Sequence, residues 1–168
     1  MLFRSQGGVA AAVADDDSPS LHAADTMAVG IGLNDADAVR VLTTEGPDRV
    51  RALLAWGARF DRTPRGTLDL AREAAHSTRR VLHAADATGA EIIRTLREAV
   101  VASPSITVVE HATVVDLHVV GGRVEGALVD HGDGSATLYP AGAVVLATGG
   151  IGRLYECTTN PQIGRAHV

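Results

Sequence analysis

Ala143-Val-Val-Leu-Ala-Thr-Gly-Gly-Ile-Gly152 is the stretch on which the fold turns. An unbroken apolar run, Ala143 to Ala147, reads as a strand buried on both faces, the kind found in parallel sheets. It ends at once in Thr148-Gly149-Gly150, which presents bare backbone at the strand's carboxyl end. Open α/β sheets bind ligands there, and glycine lets a cofactor approach the main chain. Taken alone, the same residues also suit a plain strand-to-loop turn.

Upstream of this run the chain is strand-rich. Gly121-Gly122 between Thr113–Val120 and Arg123–Val129 marks a hairpin, and Gly132 to Gly134 turns into a third strand, Ala136–Tyr139. Ile106–Glu110 reads as a short β-branched strand before them. Further back the pattern is helical. Ser18 or Ser20 caps a helix over Leu21–Leu33, and Asn34-Asp35 caps a second over Ala36–Thr44. Pro47 opens a third, through Trp56, with Val50, Leu53, Leu54 and Ala58 on its apolar face and Gly57 as its C-cap. Arg59–Leu70 is extended or looped, and Arg72–Asp86 is a polar, ionisable loop. Thr88 and Glu91 form a capping box for a helix to about Ala102, whose buried face is Ile92, Leu96, Ala99 and Val100. The class is α/β, with an antiparallel meander inserted before the last parallel strand.

Composition narrows the function. The 168 residues suit one domain, and 46% hydrophobic with 21% charged residues excludes a disordered chain. A formal charge of −5 argues against nucleic acid as a partner. No apolar run approaches the roughly 18 residues of a membrane span. Cys157, the one cysteine, reads as a small buried hydrophobe, and its isolation points to a reducing, cytoplasmic compartment. All 15 basic residues are arginine, a coding bias that lowers the weight of any single arginine. The Ala/Val stretch ending at Ala14 is interrupted by Gln6-Gly7-Gly8 and is a poor signal peptide.

Two further constellations carry chemistry. Ser5-Gln6-Gly7-Gly8 precedes Val9-Ala-Ala-Ala, a helix-forming run, so its free N–H groups suit an anion or a flavin ring; an ordinary turn is the plainer reading. No GxGxxG is present, and Gly30-Ile-Gly32 fails that fingerprint. The segment Arg72-Glu73-Ala-Ala-His76-Ser77-Thr-Arg79-Arg80-Val-Leu-His83 surrounds one carboxylate, Glu73, with cations. Such a cluster can steer an anionic substrate while Glu73 engages an ammonium group, or it is a solvated loop with weak surface ion pairs. His76 and His83, with no cysteine nearby, lack metal-site spacing, and no GxSxG nucleophile elbow occurs.

In this order the motifs resemble the flavoprotein family of L-aspartate oxidase, succinate dehydrogenase and fumarate reductase, from Gln6 to Pro161. The family's QGG loop is Gln6-Gly7-Gly8, its D-S-x-x-x-H-x-x-D-T stretch is Asp17-Ser18, His22 and Asp25-Thr26, and its ATGG loop is Ala147–Gly150. Arg72-Glu73 through His83-Ala84, Asp86-Ala87-Thr88-Gly89, Glu91 and Thr158–Pro161 are most similar to the L-aspartate oxidase branch. The resemblance implies part of a Rossmann-like FAD-binding domain without its GxGxxG strand-loop and capping domain. It implies an enzyme that oxidises L-aspartate to iminoaspartate with FAD, reoxidised by oxygen or fumarate, on the route to quinolinate and NAD, with a quinolinate-pathway enzyme as partner. Glu73 would orient the substrate's amine. Ser5, Gln6, Gly7 and Gly8 would contact the flavin, with Thr148, Gly149 and Gly150 near it. Alternatives are a succinate dehydrogenase or fumarate reductase fragment, or a non-catalytic ligand-binding module.

The sequence departs from the family in two places. Ala74-Ala75 replaces the usual Gly-Gly, at a cost of around 1 kcal/mol if either position needs positive φ. Ser5 stands where alanine is usual. Residues 1–162 are expected to be a fragment of the FAD-binding domain that by itself binds FAD weakly and does not turn over. Ile163–Val168 back-translates to a sequencing adapter and is expected to be foreign.

Overall fold

The computed structural model describes residues 7–149, which fall into two compact units dividing between Pro104 and Ser105. The expected foreign tail, 163–168, and Cys157 lie outside the described residues.

The first unit is built on a small antiparallel sheet. Its strands are β1 (Val9–Ala10), β2 (Leu70–Ala71) and β3 (Val81–Leu82), in the order β1-β3-β2. Leu82 stands opposite both Val9 and Leu70, so β3 is hydrogen-bonded on both edges. Val81 and Leu82 are 4% and 0% exposed. Leu82 packs with Ala11, Val50, Ala58 and Phe60 into the core, and Leu53, Leu54 and Ile92 close over it. Two sequence expectations change here. The run after Gly7-Gly8 begins as a strand rather than a helix, and the polar segment Arg72–Asp86 contains the central strand. Gly8 has no room for a side chain: a Cβ there would lie 2.2 Å from the Leu82 carbonyl oxygen and 2.4 Å from Val81 Cγ1.

Helix α1 spans Pro19–Gly30 and is capped by Ser18, whose hydroxyl accepts from the Leu21 amide at 3.1 Å. Helix α2 runs unbroken over Ala36–Ala55, capped by Asp35, where the sequence suggested two helices separated before Pro47. An interior proline forfeits one hydrogen bond and costs about 3 kcal/mol. The stripe Val39, Thr43, Pro47 and Val50, all buried on one face, offsets that cost. After Trp56 the chain leaves through Gly57 at φ +91, with the Gly57 amide donating to Leu54 O and Ala58 to Leu53 O. That pair of bonds is the Schellman closure expected of a C-terminal glycine.

Helix α3 spans Thr88–Ala102, but no capping box forms. The Thr88 hydroxyl accepts from the Ala84 amide, and Glu91 accepts from the Arg59 amide and from Arg94. Thr88 and Thr95 are its buried residues, Ile92 meets the core, and Leu96 is exposed.

The second unit contains the meander expected from sequence: β4 (Thr113–Val120), β5 (Arg123–Asp130) and β6 (Ala136–Pro140), paired in that order. Gly121 and Gly122 both have positive φ, +57 and +82, as a two-residue type I′ hairpin turn requires. Ala143–Ala147, in contrast, forms no strand among the described residues; Val145 is 87% and Leu146 63% exposed. A doubly buried strand is made by its neighbours, and no described strand pairs with it. Ile106–Glu110 is likewise irregular. All strand pairing among the described residues is antiparallel, so the parallel element of the expected α/β sheet is not seen there.

Candidate functional site

The first unit holds a buried ionic network centred on Arg80, which is 0% exposed. Asp17, just ahead of α1, grips the guanidinium with both oxygens, from Nε and Nη2, at 2.9 Å each. Asp25, on α1, accepts from Nη1 at 2.7 Å. The same Asp25 oxygen accepts from the Ser77 amide and the Ser77 hydroxyl, both at 2.8 Å. Nη1 also lies 3.2 Å from His76 Nδ1. A guanidinium only donates, so Nδ1 is the acceptor in this contact.

His22 stacks edge-on against His76, with ring centroids 5.4 Å apart, and its own Nδ1 is buried without a partner among the described residues. Burial, and then the neighbouring Arg80 charge, push the His22 pKa down. Every named residue of the D-S-x-x-x-H-x-x-D-T stretch thus has work here. Asp17 and Asp25 hold Arg80, Ser18 caps α1, His22 packs on His76, and the Thr26 hydroxyl donates to the His22 carbonyl.

This network supports the turn that carries Glu73. Arg72 Nε donates to the His76 carbonyl at 3.0 Å, and the His76 amide donates to the Glu73 carbonyl at 3.3 Å. Glu73 itself is exposed and makes no ion pair among the described residues. The expected ring of cations is therefore not around it. Arg80 is taken by Asp17 and Asp25, Arg79 reaches the Leu70 carbonyl, and His83 Nδ1 sits 2.8 Å from Asp61. Ala74 lies at φ +48, in the left-handed region where glycine is at ease. Ala74→Gly is expected to raise stability by about 0.5–1 kcal/mol, relief of the left-handed penalty outweighing the freer unfolded chain. Matched urea titrations of the two proteins measure it.

Beside the turn is a small cleft of about 280 Å³, walled mostly by apolar surface from Thr26, Val29 and Gly30 of α1, with Asn34, Ala74, Ala75 and His76. Of the expected flavin contacts, Gly7 stands at φ +96 with nothing within 4 Å of where a Cβ would be, so its backbone is open to a ligand. That fits a flavin. Gly8 is glycine for a different reason, its packing against β3. Thr148 and Gly149 belong to the second unit, with Gly149 at φ +72. Ser5, Gln6 and Gly150 lie outside the described residues, as does Thr158–Pro161.

The Ser77 amide and hydroxyl, and then Arg80, hold the Asp25 carboxyl at about 2, below its ordinary 3.8. Arg94 and the Arg59 amide hold Glu91 at about 2, against an ordinary 4.5. Both folded values are depressed, so the stability they supply is complete above pH 4.5 and is lost as pH falls toward 2. Denaturant midpoints stepped through that window are expected to fall, and a flat profile would contradict the assignment.

The chain belongs to the FAD binding domain family, matched over residues 1–166. The cofactor of that family is FAD. The chain is 49% identical over 166 residues to L-aspartate oxidase of Streptomyces coelicolor, covering 95% of this chain and 28% of that protein. It is 50% identical over 159 residues to L-aspartate oxidase of Caulobacter vibrioides, covering 94% and 31%. The chain thus spans under a third of the length of these relatives. Among solved structures it is similar to Mycobacterium smegmatis Sdh1 in complex with UQ1, with a TM-score of 0.86, 35% identity, and 94% and 29% coverage. A quinol-fumarate reductase with menaquinol molecules gives 0.86, 34% identity, and 93% and 27%. The sequence relatives and the shared fold agree with the flavoprotein resemblance read from the motifs. No helix among the described residues is long and apolar enough to cross a membrane.

Proposed function

We propose that this chain supplies the amine-recognising part of an FAD-dependent L-aspartate oxidase, acting on the route to quinolinate and NAD. The observation that carries the reading is Glu73, an exposed carboxylate without an ion pair among the described residues, on a turn braced by a buried network. Its charge suits an ammonium group. Succinate and fumarate have none and carry only carboxylates, which Glu73 would repel; an amino diacid is therefore favoured over the substrates of the structural neighbours. FAD, when bound, supplies the acceptor for the hydride leaving the substrate Cα. Ser5, Gln6, Gly7 and Gly8 are proposed to contact the flavin, and Thr148, Gly149 and Gly150 to lie near it. The role of Glu73 is to accept hydrogen bonds from the α-ammonium and fix the substrate's orientation. Residues 1–162 are proposed as native FAD-binding domain and 163–168 as foreign to it. Because the chain spans under a third of its relatives, turnover is assigned to the assembled enzyme, and the chain alone is proposed to bind FAD weakly and to be inactive.

The test places residues 1–162 into the Streptomyces coelicolor enzyme in exchange for the matching segment. The chimera is expected to oxidise L-aspartate, and Glu73→Gln to raise KM about tenfold to a hundredfold, the loss of a charged hydrogen bond worth about 1.5–3 kcal/mol. A flavin-loaded chimera whose KM ignores Glu73→Gln, or which prefers succinate, would overturn the reading.

A further inference from the structure

We propose that Asp25 is a positioning residue that pins the Glu73 turn to α1. The inference rests on the role just given to Glu73. The turn has little else to fix it. Glu73, Ala74 and Ala75 are exposed, and the alanines offer no polar side chain to anchor. Its internal bonds are the Arg72 to His76 carbonyl contact and a long 3.3 Å amide bond to Glu73 O. Against this, one Asp25 oxygen gathers three donors within 2.8 Å: the Ser77 amide, the Ser77 hydroxyl and Arg80 Nη1. Two of the three come from the turn's own exit, 52 residues along the chain from Asp25. The third comes from a guanidinium already locked by Asp17, so Asp25 cannot drift on the helix side. The same guanidinium holds His76 by Nδ1, which fixes the turn at a second point. Ala74 adds a reason for external bracing. A left-handed alanine is a conformation that the local sequence does not favour and that the surroundings must impose.

The experiment compares Asp25→Ala, Ser77→Ala and Asp25→Asn with the parent, in the 168-residue chain and in the chimeric oxidase. In the chain, amide exchange at His76 and Ser77 is expected to quicken at least tenfold in Asp25→Ala, less in Ser77→Ala. Asp25→Asn, which keeps an acceptor, should recover part of the protection. In the chimera, Asp25→Ala is expected to raise KM for L-aspartate about tenfold with a smaller change in kcat, again with partial rescue by asparagine. Ser77→Ala removes one bond of three and keeps the test decisive if Asp25→Ala fails to fold. Unchanged exchange at these amides, or an unchanged KM in a chimera where Glu73→Gln does raise it, overturns the positioning role. If Glu73→Gln itself leaves KM unchanged, the proposed function falls, and the exchange rates alone then decide for or against the clamp.

Discussion

Arg80→Leu is expected to lower the stability of the chain by about 3–5 kcal/mol, the usual cost of removing one partner from a buried ion pair. The substitution leaves Asp17, whose side chain is 0% exposed, facing leucine with its Oδ2 stripped of Arg80 and its Oδ1 held only by the Ser18 amide. It also strips the lock from His76 and one of the three donors from Asp25. A loss of that size is a large part of the 5–15 kcal/mol that stabilises a typical domain. Urea unfolding followed by far-UV circular dichroism measures it directly. The exposed pairs are the contrast. Arg49–Glu45 and Arg51–Asp48 lie on the open side of α2, and removing either arginine is expected to leave the midpoint where it was. If Arg80→Leu behaves like those, the buried network is not holding the unit together.

Leu82→Ala is expected to cost about 2–5 kcal/mol. Leu82 is fully buried, sits on the central strand, and faces core residues contributed by β1, α2 and the segment after α2. Collapse around the missing atoms is limited on two sides, because Gly8 already lies against the Leu82 backbone and cannot approach further. The loss should therefore fall in the upper part of that range. Thermal unfolding of Leu82→Ala beside the neighbouring Val81→Ala checks it, and a shift smaller than that of an exposed Leu33→Ala control would contradict the assignment of Leu82 to the core.

The elements visible in the sequence are those whose rules are local. The Ser18 and Asp35 caps, the Gly57 exit and the Gly121-Gly122 hairpin each depend on a few adjacent residues, and each formed; α3 starts at Thr88 as expected but without its capping box. What stayed hidden depends on distant partners. β1 and β3 are two residues each, too short to show alternation, and their pairing joins residues over 70 positions apart. Pro47 looked like a helix start because nothing in the sequence shows that a buried stripe carries α2 through it. Ala143–Ala147 looked like a buried strand because composition cannot show whether neighbours are present. The candidate site divides in the same way. Glu73 stood out as the one acid of its segment. Arg80 did not, since an all-arginine composition discounts each arginine, and its two carboxylates are 63 and 55 residues away. The aspartates of the D-S-x-x-x-H-x-x-D-T stretch were visible only as a resemblance, and their chemistry needs Arg80 beside them.

The span of those contacts bears on how the chain reaches its native form. Joining Arg80 to Asp17 and Asp25 closes loops of 63 and 55 residues, whereas the helices form from neighbours a turn apart. Loop closure is an entropic barrier that must be crossed before such contacts give anything back. Refolding is therefore expected to begin with α1, α2 and α3 and to finish with the guanidinium entering its socket. Until that final step a newly synthesised chain carries a bare cation and two bare anions where the mature molecule has a sealed joint.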